Sequence, residues 1–214
     1  MREAKSEAGR ILEILDILRR GNPSPRPGLH YADPWQLLVA TALSAQCTDA
    51  RVNQVTPGLF ARYPGPRDLA AADVTQVEQE IRSIGLFRNK ARNLVAMAAS
   101  VVERFGGEVP AERAALEALP GVGRKTASVV LGQGFGVPAF AVDTHVGRVC
   151  TRLGFARRPD PKEVEERIVA ILDFPQWVDA HLLFIHHGRR VCTARKPSCP
   201  DCPVAALCPS AGKV

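Results

Sequence analysis

The sequence predicts an all-α protein, and three observations carry that prediction. Apolar residues recur at helical spacing through much of the chain. No segment alternates apolar and polar residues convincingly over several positions, as a half-buried strand requires. Alanine and leucine are abundant, whereas aromatic residues make up only 6% of the chain. A length of 214 residues suffices for one large domain or two small ones.

The elements follow in order. Residues 10–19 (Arg-Ile-Leu-Glu-Ile-Leu-Asp-Ile-Leu-Arg) form an amphipathic helix. Residues 21–28, rich in proline and glycine, break it into an extended connector. Asp33 before Pro34 is an N-cap and first-turn pair that opens a helix through residue 44. Further helices are expected at about 50–63, 74–83, 90–105 and 112–119, punctuated by Gly85, Gly106 and Gly107. After a break at Pro120 a helix runs over 124–132. Asp143 caps another through Arg152, and 161–172 and 177–189 complete the set. Pro197, Pro200, Pro203 and Pro209 then restrict the tail to loops and short turns.

The formal net charge of +6 suits a polyanionic partner but occurs in many other proteins. Neither a secretory leader nor a membrane-spanning run is evident, so a cytoplasmic protein, or one residing with nucleic acid at the nucleoid, is expected; separately, it is expected to act as a monomer. Six cysteines do not form a secreted disulfide framework here: four crowd the tail. Cys47 and Cys150 lie in apolar helical surroundings and read as ordinary buried residues.

The run Leu119-Pro-Gly-Val-Gly-Arg-Lys-Thr-Ala127 carries the most information. Gly121 and Gly123 allow a tight turn and close approach of another backbone. The helix opening at Arg124 offers unpaired N–H groups to a phosphate. Gly121, Val122, Gly123 and Arg124 therefore read as a phosphate-gripping hairpin, with Lys125 beside the grip. Downstream, Val142-Asp-Thr-His145 supplies a carboxylate. Residues 83–91 echo the hairpin faintly, and an ordinary interhelix turn explains them equally well.

In the tail, Cys192-x6-Cys199-x2-Cys202-x5-Cys208 offers four thiolates, enough for one tetrahedral zinc or one iron–sulfur cluster. The spacing alone leaves zinc and iron–sulfur open. Arg195 and Lys196 lie between the first two cysteines, where a metal-fixed loop would present them to phosphates.

Taken together, these stretches resemble the endonuclease III family of DNA glycosylases with apurinic/apyrimidinic lyase activity. Leu43-Ser-Ala-Gln-Cys-Thr-Asp49, Ile84-Gly-Leu86 and His187-Gly-Arg189 are similar as well. The resemblance runs from about residue 31 to Cys208. It implies two helical domains flanking a DNA cleft: a six-helix barrel over 27–137, and an iron–sulfur domain joining 1–26 to 138–214. It also implies that Cys192, Cys199, Cys202 and Cys208 bind [4Fe-4S], that Lys125 is the nucleophile, and that Asp143 is its carboxylate partner. Gln46, Leu86 and His145 match positions near the space a flipped base vacates. The partner implied is double-stranded DNA with damaged bases or abasic sites, and the activity expected is removal of oxidised pyrimidines.

The implied chemistry needs these residue types. A base inside a duplex must be extruded before it can react, and inserted side chains such as Gln46 and Leu86 suit the vacated gap. A free lysine, with a reference pKa of about 10.4, is almost wholly protonated at neutral pH. Lys125 must lose its proton to attack the sugar, and a first-turn position beside Arg124 favours that loss. Asp143 can steady positive charge on the sugar, as carboxylates do in glycosidases. Two alternatives are a monofunctional adenine-mismatch glycosylase and a non-catalytic iron–sulfur DNA-binding protein. Lys125 argues against the first, and only turnover on a lesion separates the second.

Overall fold

The computed structural model describes residues 6–214; every regular element among them is a helix, joined by turns and loops, and none is a strand. Contacts divide the chain into two compact units. One joins the residues up to Arg26 to Pro138–Val214, and the other is Pro27–Val137. Residues 1–5, which the sequence analysis grouped with 138–214, lie outside the described residues.

The discontinuous unit is built on α1 (Glu7–Gly21), α9 (Thr144–Arg152), α10 (Pro161–Ile171) and α11 (Trp177–Arg190). Ser6 caps α1 by accepting from the N–H of Gly9 at 3.1 Å. Its apolar stripe, Ile11, Ile14, Leu15 and Leu18, joins Phe140, Phe155 and Phe184 in one core. Arg10, on the same helix, donates to the carbonyls of Leu153 at 2.7 Å and Leu207 at 3.2 Å, and lies over the Phe155 ring. Asp160 caps α10 through the N–H of Glu163, with Pro161 in the first turn. Where α9 meets α11, a Cβ on Gly188 would lie 3.0 Å from Cβ of His145 and 3.1 Å from Val149. Glycine is therefore what allows these two helices to approach so closely.

The continuous unit holds α2 (Pro34–Leu43), α3 (Asp49–Arg62), α4 (Pro66–Ala70), α5 (Val74–Glu80), α6 (Phe87–Phe105), α7 (Arg113–Glu117) and α8 (Arg124–Val129). Asp33 caps α2 as expected, accepting from Gln36 N at 2.8 Å. Seven of the ten residues of α2 are buried, making it the central helix of its core. Asp73 caps α5, and Gly106 in the left-handed region ends α6.

Three features depart from the expectations. Helix α4 was not foreseen; it is one turn, opened by Pro66 and fixed by Asp68 accepting from Gly65 N at 2.9 Å, and it packs on α6. Helix α6 begins at Phe87 rather than residue 90, because Leu86 takes a left-handed conformation and caps it. The helix expected over 124–132 widens into a π turn at Val130–Gly134. That turn lies against α2, where a Cβ on Gly134 would meet Leu37 at 3.3 Å. One side-chain expectation also fails in part: Cys150 is fully buried, but Cys47 is only half-buried, in the turn between α2 and α3.

Candidate active site and metal centre

The hairpin between α7 and α8 is assembled by its own residues. Val122 turns its side chain inward and donates its N–H to Leu119 O at 3.1 Å. Gly121 has φ +77°, and a Cβ there would lie 3.1 Å from the Cβ and Nδ2 of Asn93 on α6. Gly123 differs: its φ is −100°, and nothing lies within 4 Å of where its Cβ would be. The fold thus demands glycine at 121 but not at 123, where the missing side chain leaves open space outside the hairpin. Gly121, Gly123 and Arg124 are exposed, and Lys125 is half-buried in the first turn of α8. Arg113 Nη1 donates to the buried Ser128 Oγ at 2.9 Å and so fixes α7 against α8.

Gln46 and Leu86 share an unusual backbone. They are the two non-glycine residues with positive φ among the described residues, at +54° and +59°. Such residues are uncommon outside glycine and mark constrained turns. Both side chains are exposed, Leu86 at 58%. Between the two turns lies Lys90, only 8% exposed, whose ammonium donates to Leu43 O at 3.0 Å and Ala45 O at 2.6 Å. Burial pushes Lys90 below the usual lysine range, with the nearby Cys47 thiol opposing the fall.

In the other unit, Asp143 caps α9 as its sequence position predicts. Its Oδ1 accepts from His145 N at 2.9 Å and Val146 N at 2.8 Å. One turn along, Arg148 Nη2 donates to His145 Nδ1 at 3.1 Å and Gly188 O at 2.8 Å. Cys150 lies on the inner face of α9, and burial, helped by nearby Asp143, pushes its thiol far above the ordinary range. It is a core residue with no thiolate chemistry.

The four tail cysteines line one pocket with Val149, Leu153 and Val204. Arg152 holds the first of them, donating to Cys192 Sγ at 3.4 Å and to the carbonyls of Thr193 and Ala194 at 2.7 and 3.0 Å. Arg148 Nε donates to Cys192 O, and Cys208 Sγ donates to Arg152 O at 3.3 Å. His187 Nε2 lies 3.7 Å from Cys202 Sγ, and burial holds its imidazole down at about 4, hence neutral near pH 7. Burial raises the Cys202 thiol; the Val204 N–H opposes this, while Cys192, Cys208 and Cys199 add to the rise. Four thiols in an apolar pocket with N–H donors to sulfur match what an iron–sulfur cluster requires. Arg195 and Lys196 stand exposed on the same loop, closed by Thr193 Oγ1 donating to Lys196 O at 2.6 Å.

The predicted residues are thus divided between the units. Gln46, Leu86 and the hairpin with Lys125 belong to 27–137; Asp143, His145, the cysteines, Arg195 and Lys196 belong to the other. Sequence reasoning missed Lys90, Arg148 and Arg152. Lys90 was hidden among the surface-like charges of 88–92, and only burial distinguishes it. Arg148 and Arg152, four apart on one helix, carried a signal in their spacing.

A hairpin gripped between short helices, in an all-helical chain, defines a class. The sequence profile of the HhH-GPD superfamily of base excision DNA repair proteins matches residues 39–173, and the chain is a member of it. The iron–sulfur binding domain of endonuclease III matches residues 192–208, the segment that holds all four tail cysteines. Endonuclease III of Synechocystis sp. is 49% identical over 212 residues, covering 99% of this chain and 97% of that protein. Endonuclease III of Escherichia coli (strain K12) is 45% identical over 203 residues, covering 95% and 96%. Among solved structures, a trapped endonuclease III–DNA covalent intermediate superposes with a TM-score of 0.92 at 46% identity, covering 98% of this chain and 99% of that one. A thermostable thymine-DNA glycosylase gives 0.86 at 25% identity, covering 96% and 98%. The chain belongs to the endonuclease III family. It is a DNA glycosylase/AP lyase of base excision repair, binds DNA, and carries a [4Fe-4S] cluster.

Proposed function

We propose that this enzyme removes oxidised pyrimidines from duplex DNA and then cuts the strand 3′ to the abasic site, with Lys125 as the attacking amine. The observation that carries the reading is Lys125 in the first turn after the glycine hairpin. It is supported by a relative of 46% identity having been trapped as a covalent intermediate on DNA.

Neutral Lys125 Nζ bonds to C1′ as the glycosidic C–N bond breaks, and the base departs with the electron pair and a proton. Asp143 steadies the positive charge on the sugar and assists proton transfer. The sugar ring opens to an imine on Lys125. Loss of the C2′ proton then expels the 3′ phosphate, and water releases the lysine. The hairpin residues Gly121, Val122, Gly123 and Arg124 hold phosphate, as do Arg195 and Lys196. Gln46 and Leu86 fill the gap left by the extruded nucleotide, and His145 contacts DNA.

Cys192, Cys199, Cys202 and Cys208 would hold the cluster, whose contribution would be structural, fixing the loop that presents Arg195 and Lys196. No described helix is long and apolar enough to cross a membrane. A monomer acting on chromosomal DNA at the nucleoid fits the reading.

Borohydride added during turnover of a thymine glycol duplex should trap one protein–DNA adduct, and Lys125→Ala should abolish it. An undiminished adduct in that variant would sink the assignment. A panel of thymine glycol, dihydrouracil, uracil and abasic duplexes tests the lesion class; fastest release of uracil would overturn it. A strand break that needs alkali would mark a monofunctional enzyme instead.

A further inference from the structure

We propose that Lys90 is a positioning residue for base extrusion, tying the turn of Gln46 to the turn of Leu86 so that both side chains enter DNA as one rigid unit. The inference rests on the reading of Gln46 and Leu86 as gap-filling residues, and adds to it the device that holds them.

Three independent contacts support it. First, Leu43 is the last residue of α2, so its carbonyl has no partner further along the helix. Lys90 supplies one at 3.0 Å and simultaneously holds Ala45 O, the carbonyl immediately before Gln46, at 2.6 Å. The turn itself is closed by Cys47 N donating to Ser44 O at 3.0 Å, with Gln46 in the left-handed region inside it. Second, Lys90 belongs to the first turn of α6, and its own N–H donates to Leu86 O at 3.1 Å. The same residue therefore holds Leu86 through its backbone and the Gln46 turn through its side chain. Third, the two turns abut: a Cβ on Gly85 would lie 3.8 Å from Gln46 O.

A buried ammonium is an expensive way to satisfy two carbonyls, since a polar uncharged group or a glycine cap would serve the helix end alone. A charge at this helix C-terminus holds harder than a neutral donor. That strength has a use where a turn must resist the force of a DNA stack closing against it. Next to Lys90, Asn93 packs on Gly121, so α6 also carries the hairpin. Insertion residues and phosphate grip are thereby referred to one helix.

The test is a double-mutant cycle in full-length, cluster-loaded enzyme, using Lys90→Met and Gln46→Ala singly and together. Extrusion is read from 2-aminopurine placed opposite a tetrahydrofuran abasic analogue, and turnover from kcat and KM on a thymine glycol duplex. Lys90→Met should lower kcat about tenfold, as displaced catalytic geometry does, with KM within about twofold, and should dim the 2-aminopurine signal. In the Gln46→Ala background it should cost almost nothing more. Equal losses in both backgrounds, or no loss in either, overturn the proposal while leaving the gap-filling reading intact. An unchanged signal in Gln46→Ala alone overturns that reading, and the proposal with it. If Lys90→Met does not fold, Lys90→Gln enters the same cycle. Its amide is too short to span both carbonyls, so an additive loss or none again overturns the proposal.

Discussion

Arg148 Nη2 donates to Nδ1 of His145 at 3.1 Å, and the direction of that bond settles which ring nitrogen carries the proton. A guanidinium only donates, so Nδ1 must accept, and neutral His145 holds its proton on Nε2. The residue beside Asp143 therefore offers an N–H donor at the ring edge away from Arg148. Nitrogen-15 spectra of labelled protein should show Nδ1 pyridine-like and Nε2 pyrrole-like. Arg148→Met should mix the two tautomers. A pyrrole-like Nδ1 in the unaltered protein would show that the bond does not form.

The capping role of Asp143 can be separated from the catalytic one proposed for it. As the cap of α9 it accepts two N–H groups through Oδ1, and loss of such a cap costs about 1 kcal/mol. Asp143→Ala should lower the melting temperature by roughly 2–4 °C, whereas Asp143→Asn, which still caps, should melt near the parent. Both should lose glycosylase activity by more than about tenfold if the charge serves the sugar. An active Asp143→Asn enzyme would reduce the residue to its structural duty.

The two hairpin glycines should answer differently to alanine. At Gly121 the left-handed φ and the Asn93 contact make alanine strained, so Gly121→Ala should destabilise by more than about 1 kcal/mol. At Gly123 a Cβ meets nothing within 4 Å, so the folded protein should tolerate it. Its effect should fall on DNA affinity instead, measured by anisotropy at fixed salt. A Gly123→Ala protein that melts early yet binds DNA normally would reverse this division.

Cluster loss should be felt first in the discontinuous unit. Cys192, Cys202 and Cys208 pack on the core that contains α1, α9 and α11, so Cys202→Ala should remove the visible absorbance and melt that unit preferentially. Hydrogen exchange should quicken in 144–208 and hardly change over 34–105. Uniform exchange throughout would mean the units do not open separately.

The carboxylate of Asp73 is held below its ordinary range by the side chain and N–H of Thr75 and the N–H of Gln76. A depressed carboxylate stabilises the fold above the unfolded value near 3.9 and loses that contribution as pH falls through the lower folded value. The melting difference between parent and Asp73→Ala should therefore persist at pH 5 and above and narrow below pH 4. A difference that grows on acidification would contradict the assignment of the cap.

Much of this was legible from spacing. Helix caps at Asp33 and Asp143, the hairpin and the cysteine tail are local signals, written within a few residues of where they act. What the sequence concealed depends on distant partners. Helix α4 is too short to show a period, and its packing on α6 is what keeps it helical. The left-handed conformations at Gln46 and Leu86 fall on non-glycine residues, so residue type does not announce them; Gly85 marks only that a turn precedes α6, and contacts from α6 hold the Gln46 turn in place. Cys47, half-buried in a turn, looked from sequence like a core residue because it follows the apolar run of α2, although its immediate neighbours Gln46, Thr48 and Asp49 are polar.

The division of one unit between the two ends of the chain also sets a timetable for its making. Helix α1 leaves the ribosome first, yet the carbonyls that Arg10 grasps belong to Leu153 and Leu207. At about 5–20 residues per second, α1 waits on the order of ten seconds for them. Meanwhile the intervening Pro27–Val137 can close on itself. The newborn protein thus holds a finished unit with the glycine hairpin while the stripe of Ile11, Ile14, Leu15 and Leu18 is still bare. A cluster held by all four tail cysteines, as proposed, can be completed only after Cys208 has emerged.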